Sequence, residues 1–326
     1  MNIWQKQLQN AITDPKELFW ELQLDLKLLP ELFPSQDIIA RYPLKVPRSF
    51  VQRMQKGNID DPLLRQILPL NIEQETVLGF SEDPLAESKF TPIPGLIHKY
   101  FGRVLLLITG DCAINCRFCF RRHGRLGSEI KDLQRIFDYI ANDKTVEEII
   151  FSGGEPLLIE DDALEELINY FAKISHLKRL RIHTRLPILI PDRVGPGLVQ
   201  AITSSRLQPV IVIHSNHPDE IDAEVTSALH SLRANNVILL NQSVLLKGVN
   251  DNAKALMDLS EKLIAALVLP YYLHVLDKVA GAAHFAVDLP IAQRIYSELQ
   301  TKLPGYLVPK MVCDKVNALY KINAAH

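Results

Sequence analysis

The chain has few cysteines and no long apolar run. Only four cysteines occur among its 326 residues, whereas small secreted proteins held by disulfides are cysteine-rich. The first residues lack the basic-then-apolar pattern of a secretory signal. The apolar runs at Val104–Ile108 and Val237–Leu240 have only the length of strands. We therefore predict a cytoplasmic protein that does not enter a membrane.

A strong charge of one sign is also missing. The 36 lysines and arginines nearly balance the 38 aspartates and glutamates, which leaves a formal net charge of −2. This balance argues against a general nucleic-acid binder, because such proteins carry a large basic surface. We find no low-complexity segment and no repeat. With 47% hydrophobic and 23% charged residues, the composition is typical of a globular protein with a sizeable core.

Three of the four cysteines fall within eight residues. Cys112, Cys116 and Cys119 form the pattern C-x3-C-x2-C, which lets three thiolates from one loop converge on a metal centre. A [4Fe–4S] cluster held by three cysteines keeps one iron open to another ligand. The alternative is a structural zinc site, for which His123 or Cys313 would supply the fourth ligand. The narrow spacing and the soft sulfur donors favour the cluster.

From Arg103 onward, short apolar segments alternate with amphipathic ones. Six segments rich in Ile, Leu and Val predict buried parallel strands: Val104–Thr109, Glu148–Ser152, Leu180–Thr184, Val210–Ser215, Val237–Leu246 and Tyr271–Asp277. The predicted helices between and after them are one capped by Ser128, then Asp162–Ile174, Pro196–Thr203, Ile221–Arg233, Asn252–Leu267 and Ile291–Leu303. This series predicts an α/β fold, a partial (β/α)6 barrel.

The predicted strands divide the chain into three regions. Residues 1–95 form a helical region for which we expect a packing role, with a helix that begins at Asp61-Pro62 and a linker over Phe90–Ile97. Residues 96–304 form the barrel, and residues 305–326 form a C-terminal segment. Polar clusters follow the strands, as at an active face formed by strand carboxyl ends. Asn241-Gln242-Ser243 interrupts an apolar strand, and such buried polar groups need partners that a ligand can supply.

Motifs along most of the chain carry a family resemblance. Beside the cysteines followed by Arg121-Arg122, they are Pro94–Tyr100 with Arg103, Ser152–Pro156, Thr184–Pro187, Asn216–Pro218, Asn241–Leu246, Gly248–Asp251, Pro270–Tyr272 and Gly305–Pro309. Together they resemble the radical S-adenosylmethionine lysine 2,3-aminomutases, and closely the short bacterial branch that makes (R)-β-lysine for modifying elongation factor P. The likeness runs from about residue 20 to the C terminus.

The resemblance implies three cofactors. A [4Fe–4S] cluster on the three cysteines would bind S-adenosylmethionine, whose amino group would meet Gly153, Gly154 and Glu155. Two glycines allow close backbone approach, and a carboxylate accepts hydrogen bonds from an ammonium. The third cofactor is pyridoxal 5′-phosphate (PLP). The residues that match its binding set are Lys99, Tyr100, Arg103, Asn241, Gln242 and Ser243.

The family carries PLP on a lysine near the C terminus. Many relatives present it in a glycine-rich stretch that ends in Lys-Thr-Pro, and Val312–Asn323 lacks both features. Spacing from Pro309, and from the acidic residue seven positions before, selects Lys321 as the catalytic lysine. Lys310 and Lys315 are the alternatives.

Three further residues match the family's substrate contacts. Arg121 resembles the arginine that binds the amino acid carboxylate, and guanidinium pairs bidentately with carboxylate. Asp277 and Asp314 match the acidic pair that holds the distal ammonium of lysine. Two carboxylates at the far end of a pocket select a cationic side chain, because like charges repel.

The resemblance therefore implies an isomerase that converts L-lysine to β-lysine. It implies a reductant such as flavodoxin or ferredoxin, and a pathway link to elongation factor P and its lysyl-ligase. Neither a nucleic acid nor a membrane is an expected partner, and a homodimer is possible. Three alternatives stay open: an aminomutase for another amino acid, a radical activase without PLP, and a zinc-binding protein that is not an enzyme.

Overall fold

A nine-stranded sheet, with its strands in chain order, forms the centre of the molecule. A computed structural model describes residues 1–28, 42–124 and 130–325 of the chain. The strands are β1 Leu96–Tyr100, β2 Arg103–Thr109, β3 Glu148–Gly153, β4 Arg179–Thr184, β5 Gln208–His214, β6 Ile238–Leu245, β7 Leu269–Val275, β8 Lys310–Cys313 and β9 Ile322–Asn323. Strands β2 to β8 are parallel, while β1 and β9 are antiparallel edges.

Helices precede the sheet and alternate with its strands. They are α1 Ile3–Gln9, α2 Pro15–Glu21, α3 Arg48–Val51, α4 Pro62–Arg65, α5 Leu133–Asn142, α6 Asp161–Ala172, α7 Leu186–Leu189, α8 Pro196–Thr203, α9 Ala223–Ala234, α10 Ala253–Ala265 and α11 Leu289–Lys302. Strand–helix alternation with a parallel sheet is the predicted partial barrel, and the six predicted strands correspond to β2–β7. In the described part of the chain, no helix combines the length and apolar character needed to cross a membrane.

The edges of the sheet differ from the prediction. The expected linker over Phe90–Ile97 ends inside β1, which pairs with β2 through a tight turn at Phe101-Gly102. Gly102 has φ +77°, a conformation that glycine adopts without steric cost. The sequence did not predict this strand, because the prolines before Leu96 are typical of irregular chain. In the C-terminal segment, β8 and β9 form an antiparallel pair too short to show a periodic pattern.

The N-terminal helices pack into the same apolar core as the first half of the barrel. Phe19 and Phe50 lie in one cluster with Val104 and Leu106 of β2, and all four side chains are buried. The division at residues 1–95, 96–304 and 305–326 stays a prediction. Asp61 caps α4 as expected, accepting hydrogen bonds from two backbone amides.

One predicted helix start falls where the structure gives no description. Ser128 lies outside the described residues. Helix α5 begins at Leu133, and Asp132 at its N-cap accepts a hydrogen bond from the Arg135 amide.

Candidate active site

A cavity of about 500 Å³ opens where the parallel strands end. Carboxyl ends of parallel strands in βα barrels form the active face, because the βα loops converge there. Most of the predicted site residues line this cavity: Lys99, Tyr100, Arg103, Cys112, Cys116, Cys119, Arg121, Gly153, Gly154, Glu155, Gln242, Asp277, Asp314 and Lys321. The fold therefore brings together residues from both edges of the sheet.

The loop after β2 presents the three cysteines to this cavity. All are thiols, and each is partly buried. Nη1 of Arg185 lies 2.8 Å from Sγ of Cys116. Arg185 is held in turn by Gln66 and Glu220, whose carboxylate lies 2.9 Å from Nη2. A buried guanidinium beside a sulfur stabilises the thiolate form that a metal ligand requires.

The two residues proposed as the fourth ligand of a zinc site do not line the cavity. His123 pairs with the carbonyl of Ala280 at 3.0 Å, and Cys313 packs in a C-terminal apolar cluster. Among the residues described, no three His, Cys, Asp or Glu side chains surround a single point as ion ligands would. A [4Fe–4S] cluster has a different requirement, since each thiolate binds a different iron. Three thiols around one side of a cavity fit that donor set.

A buried ion cluster supports the cysteine loop from behind. The carboxylate of Glu73 accepts two hydrogen bonds from Arg117, at 2.8 and 2.6 Å, and one from Arg122 at 2.5 Å. Burial opposes ionisation of Glu73, but the two guanidinium groups outweigh it and lower the pKa of Glu73. The N-terminal region thus holds the loop that carries the cysteines, beyond the packing role predicted for it.

The glycines after β3 lie directly against the cysteine loop. A Cβ on Gly154 would meet the carbonyl oxygen of Asp111 at 2.0 Å, and Gly153 has φ +113°. Neither position accepts a larger residue without moving the backbone. Glu155 beside them accepts hydrogen bonds from Thr184 and from the backbone amide of Arg185. Burial raises the pKa of Glu155 although these bonds oppose the change.

The Asn-Gln-Ser segment of β6 divides between two faces. Gln242 lines the cavity. Asn241 and Ser243 are buried on the opposite face, where both bind the backbone of Ser215. Adjacent strand residues point to opposite sides of a sheet. Of the three residues only Gln242 lines the cavity, and the assignment of Asn241 and Ser243 to the PLP-binding set stays a prediction.

Lys321 is the tail lysine that reaches the cavity. The β8–β9 pair returns the chain, and Nζ of Lys321 lies against Oδ2 of Asp314 and 5.9 Å from the centre of the Tyr272 ring. Lys310 and Lys315 are exposed and do not line the cavity. The position of Lys321 supports its selection over the two alternatives.

The two carboxylates of the acidic pair, Asp277 and Asp314, differ in pKa. Burial opposes ionisation of Asp314, but Lys321 and a hydrogen bond from Tyr100 outweigh it and lower the pKa of Asp314 to about 2. Burial, and then the negative charge of Asp314, raise the pKa of Asp277 to about 7. Lys99 lies 3.4 Å from Asp314 and adds a second positive charge. One carboxylate is therefore ionised throughout the neutral range, and the other titrates within it.

Sequence patterns missed several residues on the cavity wall. Glu87, from a 3-10 turn at Glu87–Phe90, forms a bidentate ion pair with Arg121. His183 and His274 also line the cavity, and burial lowers the pKa of both below its usual value, so the imidazoles are neutral. Alternation along β4 and β7 is a signal that could have found the histidines. No comparable signal marks Glu87.

Comparison with known proteins agrees with this geometry. Residues 106–260 match the radical SAM superfamily. The chain is 48% identical to L-lysine 2,3-aminomutase of Escherichia coli K12 over 94% of its own length and 90% of the relative. The chain is 47% identical to the Haemophilus influenzae enzyme of the same name, over 94% of its own length and 91% of the relative. It is 34% identical to the enzyme of that name from Clostridium subterminale, over 96% of its own length and 75% of the relative.

Superfamily membership implies a [4Fe–4S] cluster and S-adenosylmethionine, and three thiols beside a glycine-rich strand end fit both groups. The matched residues include the whole cysteine loop and strands β3 to β6. The chain belongs to the lysine 2,3-aminomutase family of radical S-adenosylmethionine enzymes.

Proposed function

We propose that this protein is a PLP-dependent radical 2,3-aminomutase that converts L-lysine to β-lysine. One observation carries the proposal. A single cavity is lined by three cysteines together with Lys321 and the carboxylates Asp277 and Asp314. The E. coli and H. influenzae relatives are L-lysine 2,3-aminomutases, and an enzyme that acts on lysine needs an acidic partner for the cation of its side chain.

The cavity residues fit the proposed cofactors. Cys112, Cys116 and Cys119 would hold the cluster, and Gly153, Gly154 and Glu155 would receive S-adenosylmethionine. Lys321 would carry PLP, with Lys99, Tyr100, Arg103 and Gln242 around it. Buried Nε2 of His183 has no hydrogen-bond partner among the described residues and can face a ligand. When bound, these groups supply a radical for hydrogen abstraction and an aldehyde for the migrating amino group.

The protein's own side chains fix the substrate at both ends. Arg121 offers a guanidinium to the α-carboxylate. Asp277 and Asp314 offer negative charge to the ε-ammonium, and the neutral imidazoles of His183 and His274 add no competing cation. Holding both ends restrains the carbon chain between them, so that one C–H bond can face the radical source.

Reconstitution tests the proposed reaction directly. Anaerobic protein loaded with iron, sulfide, PLP and S-adenosylmethionine, then reduced, should convert L-lysine to β-lysine. A panel of other amino acids serves as the control for substrate choice. If cluster and PLP are both bound and no β-lysine forms, the proposal is wrong. Zinc without acid-labile sulfide in the native protein would instead indicate a zinc-binding protein.

We also propose that the product is (R)-β-lysine for the modification of elongation factor P. This rests on the resemblance to the short bacterial branch, as do the flavodoxin or ferredoxin reductant, the cytoplasmic location and a possible homodimer. Chiral chromatography of the product tests the configuration. Incubating the product with the lysyl-ligase and elongation factor P tests the pathway link. A product that is purely S would remove this assignment.

Lysine affinity should depend on pH through Asp277. Its carboxylate attracts the ε-ammonium only when ionised, and its pKa of about 7 lies near neutrality. The groups that set this pKa besides burial are Asp314, Lys321, Glu87 and Lys99. Between pH 7 and pH 6 the dissociation constant should rise about fivefold, and above pH 8 it should level off. Calorimetric titration of the loaded protein between pH 6 and 8.5 measures this.

Asp277→Asn is the matched control for this titration. Asparagine preserves the shape of the side chain and removes its charge, so affinity should be weak and nearly constant over the same range. Equal pH dependence in both proteins would assign the titration to another group.

A further inference from the structure

Arg121 already has a carboxylate partner in this structure. Nε and Nη2 of Arg121 donate to the two carboxylate oxygens of Glu87 at 2.8 and 2.6 Å. Both side chains are largely buried, with 13% and 26% of their surface exposed. Nη1 is 3.3 Å from the hydroxyl of Ser152. One of the two bidentate edges of the Arg121 guanidinium is thus occupied by the chain itself.

A second internal ion pair lines the same cavity. Nζ of Lys321 lies against Asp314, one of the two carboxylates proposed to hold the distal ammonium of lysine. Once Lys321 carries PLP it no longer offers a free ammonium there. The Arg121–Glu87 pair is then the internal pair that the substrate must open in the loaded protein.

Glu87 belongs to a segment that connects the backbone beside Asp277 with Arg121. The backbone of Ser81 forms two hydrogen bonds of 2.9 Å, with Lys278 and Ala280, directly after Asp277. From there the chain runs to Glu87 on Arg121. The residue before Glu87, Ala86, has φ 47° and ψ 46°. This left-handed conformation is unfavourable for a residue with a Cβ, and it is enriched at ligand clamps.

A second carboxylate cannot join Arg121 without cost. Two carboxylates on one guanidinium repel each other, and at a largely buried pair, where water screens charges less, that repulsion is larger than in water. We propose that Glu87 competes with the substrate's α-carboxylate for Arg121 and thereby sets the affinity for L-lysine. A ligand with a distal ammonium and no carboxylate leaves the Arg121–Glu87 pair closed. This inference rests on the proposed function, since it takes Arg121 as the carboxylate site.

The test compares two ligands that differ in the carboxylate alone. L-lysine and 1,5-diaminopentane are titrated calorimetrically into protein loaded with cluster, PLP and S-adenosylhomocysteine, which prevents turnover. Glu87→Gln should bind L-lysine about tenfold more tightly than the wild type does, because the competitor has lost its charge. Its affinity for 1,5-diaminopentane should stay unchanged or weaken. Glu82→Gln is the matched control: Glu82 lies on the same segment, is 77% exposed, and should leave both affinities unchanged.

The outcomes separate this inference from the proposed function. Equal or weaker binding of L-lysine by Glu87→Gln would mean that Glu87 orients Arg121, and the competition would be wrong. Glu87→Ala gives a second reading of the same effect, with melting temperature as the check on folding. If the wild type binds no L-lysine while it retains cluster and PLP, the proposed function itself fails.

Discussion

Cys116→Ser is expected to yield protein that assembles no stable [4Fe–4S] cluster and loses activity by more than about a thousandfold. Serine oxygen is a harder and more basic donor than thiolate, and two remaining cysteines do not hold the cluster. Iron and acid-labile sulfide content, together with the visible absorbance after anaerobic reconstitution, measure the loss independently of activity. Cys112→Ser and Cys119→Ser should behave in the same way, since all three thiols line one cavity.

The fourth cysteine supplies the matched control. Cys313 lies in β8 and packs in a separate apolar cluster. Cys313→Ser should therefore retain full iron and sulfide content. Normal cluster assembly in Cys116→Ser, or its loss in Cys313→Ser, would show that the cysteines have been assigned to the wrong roles.

Lys321→Ala should lose covalently attached PLP and, with it, activity by more than about a thousandfold. Lys321 is the tail lysine that lines the cavity, while Lys310 and Lys315 are exposed. Borohydride reduction of the PLP-loaded protein followed by peptide mapping should place the pyridoxyl group on Lys321. Lys310→Ala and Lys315→Ala should keep both the cofactor and the activity.

Lys321→Arg separates chemistry from electrostatics. Arginine can retain the ion pair with Asp314 but cannot carry the aldehyde, so it should be as inactive as alanine while preserving the melting temperature. A pyridoxyl group on Lys310 or Lys315 would overturn the assignment. Activity in Lys321→Arg would do the same.

Most of the barrel could be predicted from the sequence because its signals are local. Each of β2 to β7 is an apolar segment followed by a polar strand end, and strand β3 is buried along almost its full length. The edge strands β1 and β9 are different. One follows a proline-rich stretch, and the other has only two residues, so pairing with a neighbour determines both.

The residues of the candidate site likewise divide into those that the sequence predicted and those that it did not. The three cysteines were predictable from their spacing, because ligands within one loop are placed by a few residues of chain, whereas the glycines after β3 were assigned from the family resemblance. Gln242 and its neighbours show the limit of that reasoning. A motif names three polar residues, but the alternation of the strand directs only one of them into the cavity.

By itself, the sequence singled out the cysteine loop, predicted strands β2 to β7 with the helices between them, and selected Lys321 among the tail lysines. Only the tertiary structure decided that Glu87 meets Arg121 across 34 residues, and that Asp277 and Asp314 differ in pKa. Spacing and periodicity act along the chain, whereas ion pairs and burial depend on which segments meet. Which charged groups share one cavity can be known only from the folded structure, because the sheet brings residues from both of its edges together.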